Sequence, residues 1–365
     1  MAERTITDLR QKQALPLDAK ILLTKRRIKE WVNEFGEDGV YISFSGGKDS
    51  TVLLDIVRNV CGYKDIPAVF CDVPTQYPEL RDFAKTFDNV VIVKPKISFM
   101  QICEKYGFPL ISKEVAGVIH EARKHLTVEN CKLSKTQGSD ILKIEGEPHW
   151  AVARVYGIVT KDGEIKINPS KEEKSPYTYE KYKFMLDAPF DVANNCCGVM
   201  KKEPLHSYQK QTGRLPFVAT MAEESMLRTS TWIKKGCNAF EQKNPKSSPM
   251  SFWTEQDVLQ YIYERQLPIC SVYGDVIQVN NQLSLVDVGI DMGDFRPCYE
   301  TTGCNRTGCM LCGFGAHLEK ESRFQRLHKT HPKMYALLDK FKNNGYTMRE
   351  AIEWVNEHGN LNIRL

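Results

Sequence analysis

The chain has 365 residues, 42% of them apolar and 26% charged, with a net charge of +4. These are proportions of a soluble globular protein with a large core, and they exclude a disordered or fibrous chain. No apolar run approaches the roughly 20 residues of a membrane span, and Met1-Ala2-Glu3-Arg4-Thr5 lacks the apolar core of a secretion signal, so a cytoplasmic location and no membrane partner are expected. The small positive charge permits nucleic-acid contact without requiring it. Twelve cysteines without a secretion signal read as reduced, buried or metal-bound thiols, not as a disulfide framework.

Residues 18–35 carry Ile21, Leu22, Ile28, Trp31, Val32 and Phe35 at helical spacing and stop at Gly36, which predicts an amphipathic helix with Lys25, Arg26, Arg27 and Lys29 on its solvated face. A strand is expected at 40–44, a helix at 50–59, a strand at 66–71, a helix at 78–87 and a strand at 90–93. This alternation predicts an α/β fold with a parallel sheet, whose ligands sit at the carboxyl ends of the strands. Residues 98–130 read as helical with a break at Gly107-Phe108-Pro109, residues 140–168 as a hairpin around Lys161-Asp162-Gly163-Glu164, and 169–183 as a polar loop. The stretch 115–190 is taken as an insertion. A strand at 217–220 follows, then a helix opening at Ala222, a helix over 254–264 with a capping-box start at Thr254 and Asp257, β-like residues at 275–290, and two short helices from Pro332 onward. The resulting division is a helical lead-in (1–36), a nucleotide-binding domain (37–240), a cysteine-bearing segment (241–330) and a helical tail (331–365).

Chemistry concentrates first at Ser45-Gly46-Gly47-Lys48-Asp49-Ser50, between strand 40–44 and the helix after it. Glycines let backbone N–H groups approach a phosphate, and the helix start adds its positive dipole. Lys48 supplies a point charge, Ser45 and Ser50 supply hydroxyls, and Asp49 either holds Mg²⁺ or caps the helix. The spacing is not that of a Walker A loop. Sheet geometry places Asp72–Tyr77 at the same strand ends.

Cysteines form the second concentration. Cys309 and Cys312 make a C-x-x-C turn suited to one metal or cluster, with Cys196-Cys197 able to supply two more ligands and Cys304 a competitor for a ligand position. Cys61, Cys71, Cys103 and Cys131 are scattered and read as small buried hydrophobes.

Ser45–Ser50 resembles the SGGxDS loop of the PP-loop family, which implies an adenine nucleotide as ligand. Cys196-Cys197-x3-Lys201-x-Glu203-Pro204-Leu205 resembles the corresponding segment of assimilatory adenylylsulfate reductases, and Gly308-Cys309-x2-Cys312 resembles their second cysteine pair. Lys246-Ser247-Ser248-Pro249-Met250, Trp253-Thr254-x2-Asp257-Val258, Leu267-Pro268 and Asp72-x4-Tyr77-Pro78-Glu79 resemble further segments of the phosphoadenylylsulfate and adenylylsulfate reductases. The resemblance implies a PP-loop, Rossmann-type fold, a 4Fe–4S cluster on Cys196, Cys197, Cys309 and Cys312, nucleotide contacts from Ser45 to Ser50 and Asp72, and roles for Lys48, Asp49 and Arg228 in chemistry.

The chain departs from the family pattern at Val73, at Met221 where an arginine is usual, and at its end, where no cysteine follows Cys312 and the tail reads Asn356-Glu357-His358-Gly359. The family's sulfur-attacking thiol is therefore absent. The expected activity is ATP cleavage between the α and β phosphates with Mg²⁺, adenylation of an acceptor, nucleic acid among the classes considered, and sulfur delivery from a donor such as a cysteine desulfurase. The alternatives are a sulfonucleotide reductase acting on adenylylsulfate or phosphoadenylylsulfate through Cys237, Cys304 or a partner thiol, and a nucleotide-sensing module without turnover. A homodimer is left open.

Overall fold

The computed structural model describes residues 4–125, 133–135, 141–144, 150–156, 158–159, 164–166, 178–279 and 297–365. Contacts divide the chain into two units built from interleaved segments, Met1–Pro95 with Lys202–Gly308 and Lys96–Lys201 with Cys309–Leu365. The division drawn from sequence runs along the chain, whereas each of these units is discontinuous.

The first unit begins with α1 (Ile6–Gln13) and α2 (Leu17–Phe35), the latter burying Ile21, Ile28, Trp31 and Val32 and ending at Gly36 with φ +75°. Strand β1 (Val40–Phe44) follows, then α3 (Lys48–Asp55) continued by a π turn at Ile56–Val60, then β2 (Ala68–Cys71), α4 (Pro78–Ala84) and β3 (Val90–Val93). The helix predicted to Phe87 thus stops at Ala84. Val40, Tyr41, Ile42 and Phe44 are all buried, as a parallel strand covered on both faces requires. Buried Arg58 on the π turn donates to the carbonyls of Ile66, Asp88 and Asn89 and so ties the helix end to the starts of β2 and β3.

The chain then enters the second unit. The helix read across 98–130 is two helices, α5 (Phe99–Tyr106) and α6 (Lys113–His125), separated by Gly107 and the short strand β4 (Leu110–Ile111). Gly107 has φ +91°, and a Cβ there would fall 2.1 Å from the Asp191 carbonyl oxygen, so only glycine fits the break. Strands β5 (Leu133–Lys135) and β6 (Ile141–Ile144), helix α7 (Trp150–Tyr156), and strands β7 (Ile158–Val159) and β8 (Glu164–Lys166) follow, the strands forming an antiparallel sheet in the order β5-β6-β8-β7. The predicted hairpin is present as the β7–β8 pair; its turn, Cys131, and most of the loop expected at 169–183 lie outside the described residues, and a 3₁₀ stretch runs from Glu180 to Asp187. Arg123 on α6 donates to the carbonyls of Met185, Ala188 and Phe190, holding that stretch to the helix.

Back in the first unit are α8 (Glu203–Thr212), β9 (Leu215–Val218), α9 (Met226–Lys235), β10 (Asn238–Ala239), β11 (Lys246–Ser247), α10 (Glu255–Arg265), β12 (Val276–Val279) and β13 (Cys298–Thr301). The strand expected at 217–220 is Leu215–Val218, and of the β-like 275–290 the described part is β12. The main sheet has the order β10-β11-β9-β1-β2-β3, parallel except for the β10–β11 pair. Ile42 of β1 lies between Ala68 of β2 and Phe217 of β9. Because β2 continues outward on one side of β1 and β9 on the other, the strand order reverses between β1 and β9, the position at which open α/β sheets leave a crevice.

The second unit closes with β14 (Gly313–Phe314), paired in parallel with β4, then α11 (Arg323–Thr330), α12 (Pro332–Tyr335), β15 (Lys342–Asn343), β16 (Tyr346–Thr347) and α13 (Met348–Gly359). The tail read as two helices therefore contains a hairpin between them, turned at Asn344 and Gly345, both with positive φ.

Candidate functional site

The chain leaves β1 at Phe44 and turns through Gly46, whose φ is +71° and whose Cβ would stand 2.9 Å from the Leu80 carbonyl oxygen. Gly47 is the N-cap of α3, and the Thr51 N–H closes the first turn on its carbonyl at 3.0 Å. The amides of Lys48, Asp49 and Ser50 form the open first turn of the helix, the arrangement that receives an anion. The serine hydroxyls act on the loop itself. Ser50 Oγ donates to the Gly47 carbonyl at 2.9 Å and accepts from the Ser45 N–H at 3.2 Å, and Ser45 Oγ lies 3.0 Å from Ser50 Oγ while accepting from the Gly47 N–H at 3.3 Å. With the Ser50 proton on a carbonyl, the proton between the two hydroxyls comes from Ser45. Both serines brace the loop instead of presenting free donors.

A cavity of about 300 Å³ opens at the loop, in the crevice between the ends of β1 and β9. Ser45, Gly47, Lys48 and Asp49 line one side, and Met221, Glu223 and Glu224, which follow β9, line another. Glu255 at the start of α10, Tyr273, and the run Asn305-Arg306-Thr307 complete it. Lys48 is buried; its Nζ lies 2.5 Å from Glu255 Oε1 and donates to the Asn305 carbonyl at 2.9 Å. Tyr273 hydrogen-bonds Thr307 at 2.6 Å, and burial pushes its phenol up from the ordinary value. The Glu255 N–H is capped by Glu223 at 3.2 Å.

Asp49 makes no capping bond, and its Oδ1 is buried without a hydrogen-bond partner. Burial pushes its carboxyl up, opposed by the Lys48 charge. A buried carboxylate oxygen without a partner is costly, and a proton, a water molecule or a divalent cation would each relieve that cost. Arg228 on α9 is ion-paired with Glu224, and burial holds its guanidinium down. Met221 is buried in the wall where the family pattern has an arginine. Asp72 stands at the end of β2, ion-paired with Arg81 at 3.6 Å, and is not among the residues lining this cavity.

The cysteine pairs belong to the second unit. Cys196 and Cys197 begin a helical stretch that runs into a π turn at Gly198–Lys202. Cys309 and Cys312 flank a turn closed by the Cys312 N–H on the Cys309 carbonyl at 3.1 Å. Gly313 and Gly315 anchor that turn by donating to the carbonyls of Pro109 and Ile111, and Arg323 donates to the Cys312 carbonyl at 2.8 Å. A Cβ on Gly313 would meet the Pro109 oxygen at 2.8 Å, which explains the glycine after the second cysteine.

The Cys196 thiol is pushed up by a hydrogen bond with Cys197, by burial, and by the thiolates of Cys197, Cys312 and Cys309, and burial pushes Cys312 up to about 11. The two pairs are therefore electrostatic neighbours, and an all-thiol donor set of this kind suits iron or zinc. Among the described residues no group of three or more His, Cys, Asp or Glu side chains has the geometry to hold a metal ion. Cys304, the competing ligand, is buried with its thiol donated to the Arg306 carbonyl at 2.7 Å. Cys103 is buried as expected, while Cys61 and Cys71 are partly exposed.

Sequence reasoning missed Glu255, Tyr273 and Asn305–Thr307 as parts of the site. Glu255 follows Thr254, the N-cap recognised from sequence, and the first residue after a cap faces whatever the helix start faces.

The model of the phosphoadenosine phosphosulfate reductase domain matches residues 39–142 and 151–313. The chain belongs to this family. Its fold is mixed α/β, with a mainly parallel sheet flanked by helices. A crystal structure of phosphoadenylyl-sulfate (PAPS) reductase from Candida auris, in a phosphate complex, is similar at 14% identity and a TM-score of 0.34, covering 74% of this chain and 88% of that one. No curated protein matches. No helix among the described residues is long and apolar enough to cross a membrane.

Proposed function

We propose that this family member binds ATP with magnesium in the cavity at the Ser45–Ser50 loop and adenylates an acceptor for sulfur transfer. The buried Asp49 carboxylate oxygen without a partner carries the reading: it stands beside the loop amides and Lys48, with Glu223 and Glu255 also lining the cavity and Arg228 offsetting Glu224. The cation of a metal-bound polyphosphate would give those carboxylates a partner that a bare sulfate or phosphate ester lacks. An acceptor oxygen would attack the α phosphorus and form a P–O bond as the bond to pyrophosphate breaks. The loop amides and Lys48 would stabilise the departing charge, and a sulfide equivalent would then displace AMP. Cys196, Cys197, Cys309 and Cys312 are the proposed donor set for a 4Fe–4S cluster, which would supply an iron site for sulfide or hold the fold. A cysteine desulfurase and a nucleic-acid acceptor fit the same reading.

A sulfonucleotide reductase is the second reading, favoured by the family match itself. Against it, Cys237 and Cys304 do not line the cavity. Cys237 accepts a hydrogen bond from Ser251 at 3.3 Å. The deciding assay incubates the anaerobically purified protein with magnesium ATP, sulfide, and bulk tRNA or DNA, and in parallel with adenylylsulfate or phosphoadenylylsulfate and thioredoxin. AMP, pyrophosphate and a thiolated nucleoside by mass spectrometry are expected in the first. Robust sulfite release in the second, abolished by Cys237→Ser or Cys304→Ser, would overturn the proposal.

A further inference from the structure

We propose that Glu255 makes binding in this cavity dependent on a divalent cation: it holds Lys48 in the free protein and yields it to a polyphosphate whose magnesium ion receives the released carboxylate. The inference rests on the ATP reading and deepens it.

The Lys48 side chain is 6% exposed and that of Glu255 is 40% exposed, so the fixed partner is the cation and the movable one is the carboxylate. Both residues start a helix, and both helices are braced. The α3 start is closed by the serine and Gly47 bonds described above. The α10 start carries the Thr254–Asp257 capping box, with Asp257 bonded to buried Lys20 at 2.5 Å, and Tyr261 further along donates to Asp55 at 2.5 Å. The backbones are thus held, and exchange at Lys48 is an exchange of side-chain partners.

Without Glu255 or a replacement anion, the buried ammonium keeps the Asn305 carbonyl, the face of the Tyr273 ring at 5.9 Å and the more distant Asp49, but loses its ion pair, which is unfavourable for a desolvated charge. A metal-free anion must therefore displace Glu255 and then lie beside the freed carboxylate and Asp49, with like-charge repulsion on both sides. A magnesium-bound polyphosphate offers a partner to each group: phosphate oxygen to Lys48, cation to the carboxylates. The residue pair thereby discriminates magnesium-complexed nucleoside polyphosphates from metal-free sulfate and phosphate esters.

Isothermal calorimetry with inorganic pyrophosphate, in magnesium or in EDTA, tests this on the full chain. The wild type should bind about tenfold more tightly with magnesium, and Glu255→Gln should bind about tenfold more tightly than wild type in EDTA, as loss of one charge-assisted contact predicts. In Glu255→Gln the magnesium enhancement should largely disappear. A folded Glu255→Gln protein that keeps the wild-type enhancement overturns the inference. Should that variant not fold, Glu255→Asp, with a shorter reach to Lys48, should still bind pyrophosphate more tightly in EDTA than wild type, and unchanged affinity overturns the inference equally. Wild-type protein that binds neither pyrophosphate nor ATP overturns the nucleotide reading itself, a result distinct from normal binding with unaltered variants.

Discussion

Gly46 shows how little freedom the loop has. At φ +71° with the Leu80 carbonyl 2.9 Å from any added Cβ, it has no room for a side chain. Gly46→Ala should destabilise the fold by about 1–2 kcal/mol from the left-handed backbone alone, read as a lower midpoint in urea, and should weaken ATP binding further by moving the loop amides. An alanine variant with wild-type stability and affinity would show that the turn is not the ligand seat. Lys48→Ala should weaken nucleotide binding by about 1.5–3 kcal/mol, the range for a hydrogen bond to a charged group, with little loss of stability because the residue left behind, Glu255, is partly exposed. Equal ATP affinity in calorimetry would remove Lys48 from the site.

At the scale of elements, α10 is the piece that carries the most. Its buried Lys20–Asp257 pair has side-chain exposures of 0% and 9%, and Trp253 donates to Thr24 of α2 at 2.8 Å. Lys20→Met strands a buried carboxylate and should lower stability by about 3–5 kcal/mol in chemical denaturation, while Lys20→Met with Asp257→Asn should recover much of it. Recovery of nothing would mean that the lysine stem, not the ion pair, matters. The capping box at Thr254 and Asp257 was legible because it is a local pattern, and so were β1 and the glycine turn. Glu255 and Tyr273 were not legible as site residues, because their role depends on which strands and loops come together across the unit and no short pattern encodes that. The Asn344-Gly345 turn could have been read: Asn-Gly between short extended segments signals a hairpin, and the amphipathic pattern on either side masked it. The break at Gly107 was seen, but its cause, the Asp191 backbone, is distant in sequence. For the cysteines, the expectation is that Cys309→Ser or Cys312→Ser abolishes iron binding and the visible thiolate-to-iron absorption, and that Cys61→Ser changes neither. A colourless protein with one zinc per chain would replace the cluster by a metal ion.

The whole molecule is two units whose chain segments alternate, with boundaries at Pro95, Lys201 and Gly308. The proposed cluster ligands come from both segments of the second unit, so a metal on them would cross-link residues more than a hundred positions apart and close a long loop. Hydrogen exchange should therefore show faster exchange along α5, α6 and α13 in Cys312→Ser than in wild type, with β1 and β2 unchanged; uniform protection in both proteins would mean that the cysteines do not join the segments. The interleaving has a consequence for biosynthesis. Strand β1 is made early, yet its neighbour β9 emerges about 170 residues later, some ten seconds or more at ordinary elongation rates. Throughout that interval the nascent chain carries an apolar strand with an open edge, and the second unit still lacks its last segment. The first unit cannot close its sheet until β9 has emerged, and the dependence on such distant pairings marks a slow folder whose vulnerable stage is the half-made chain.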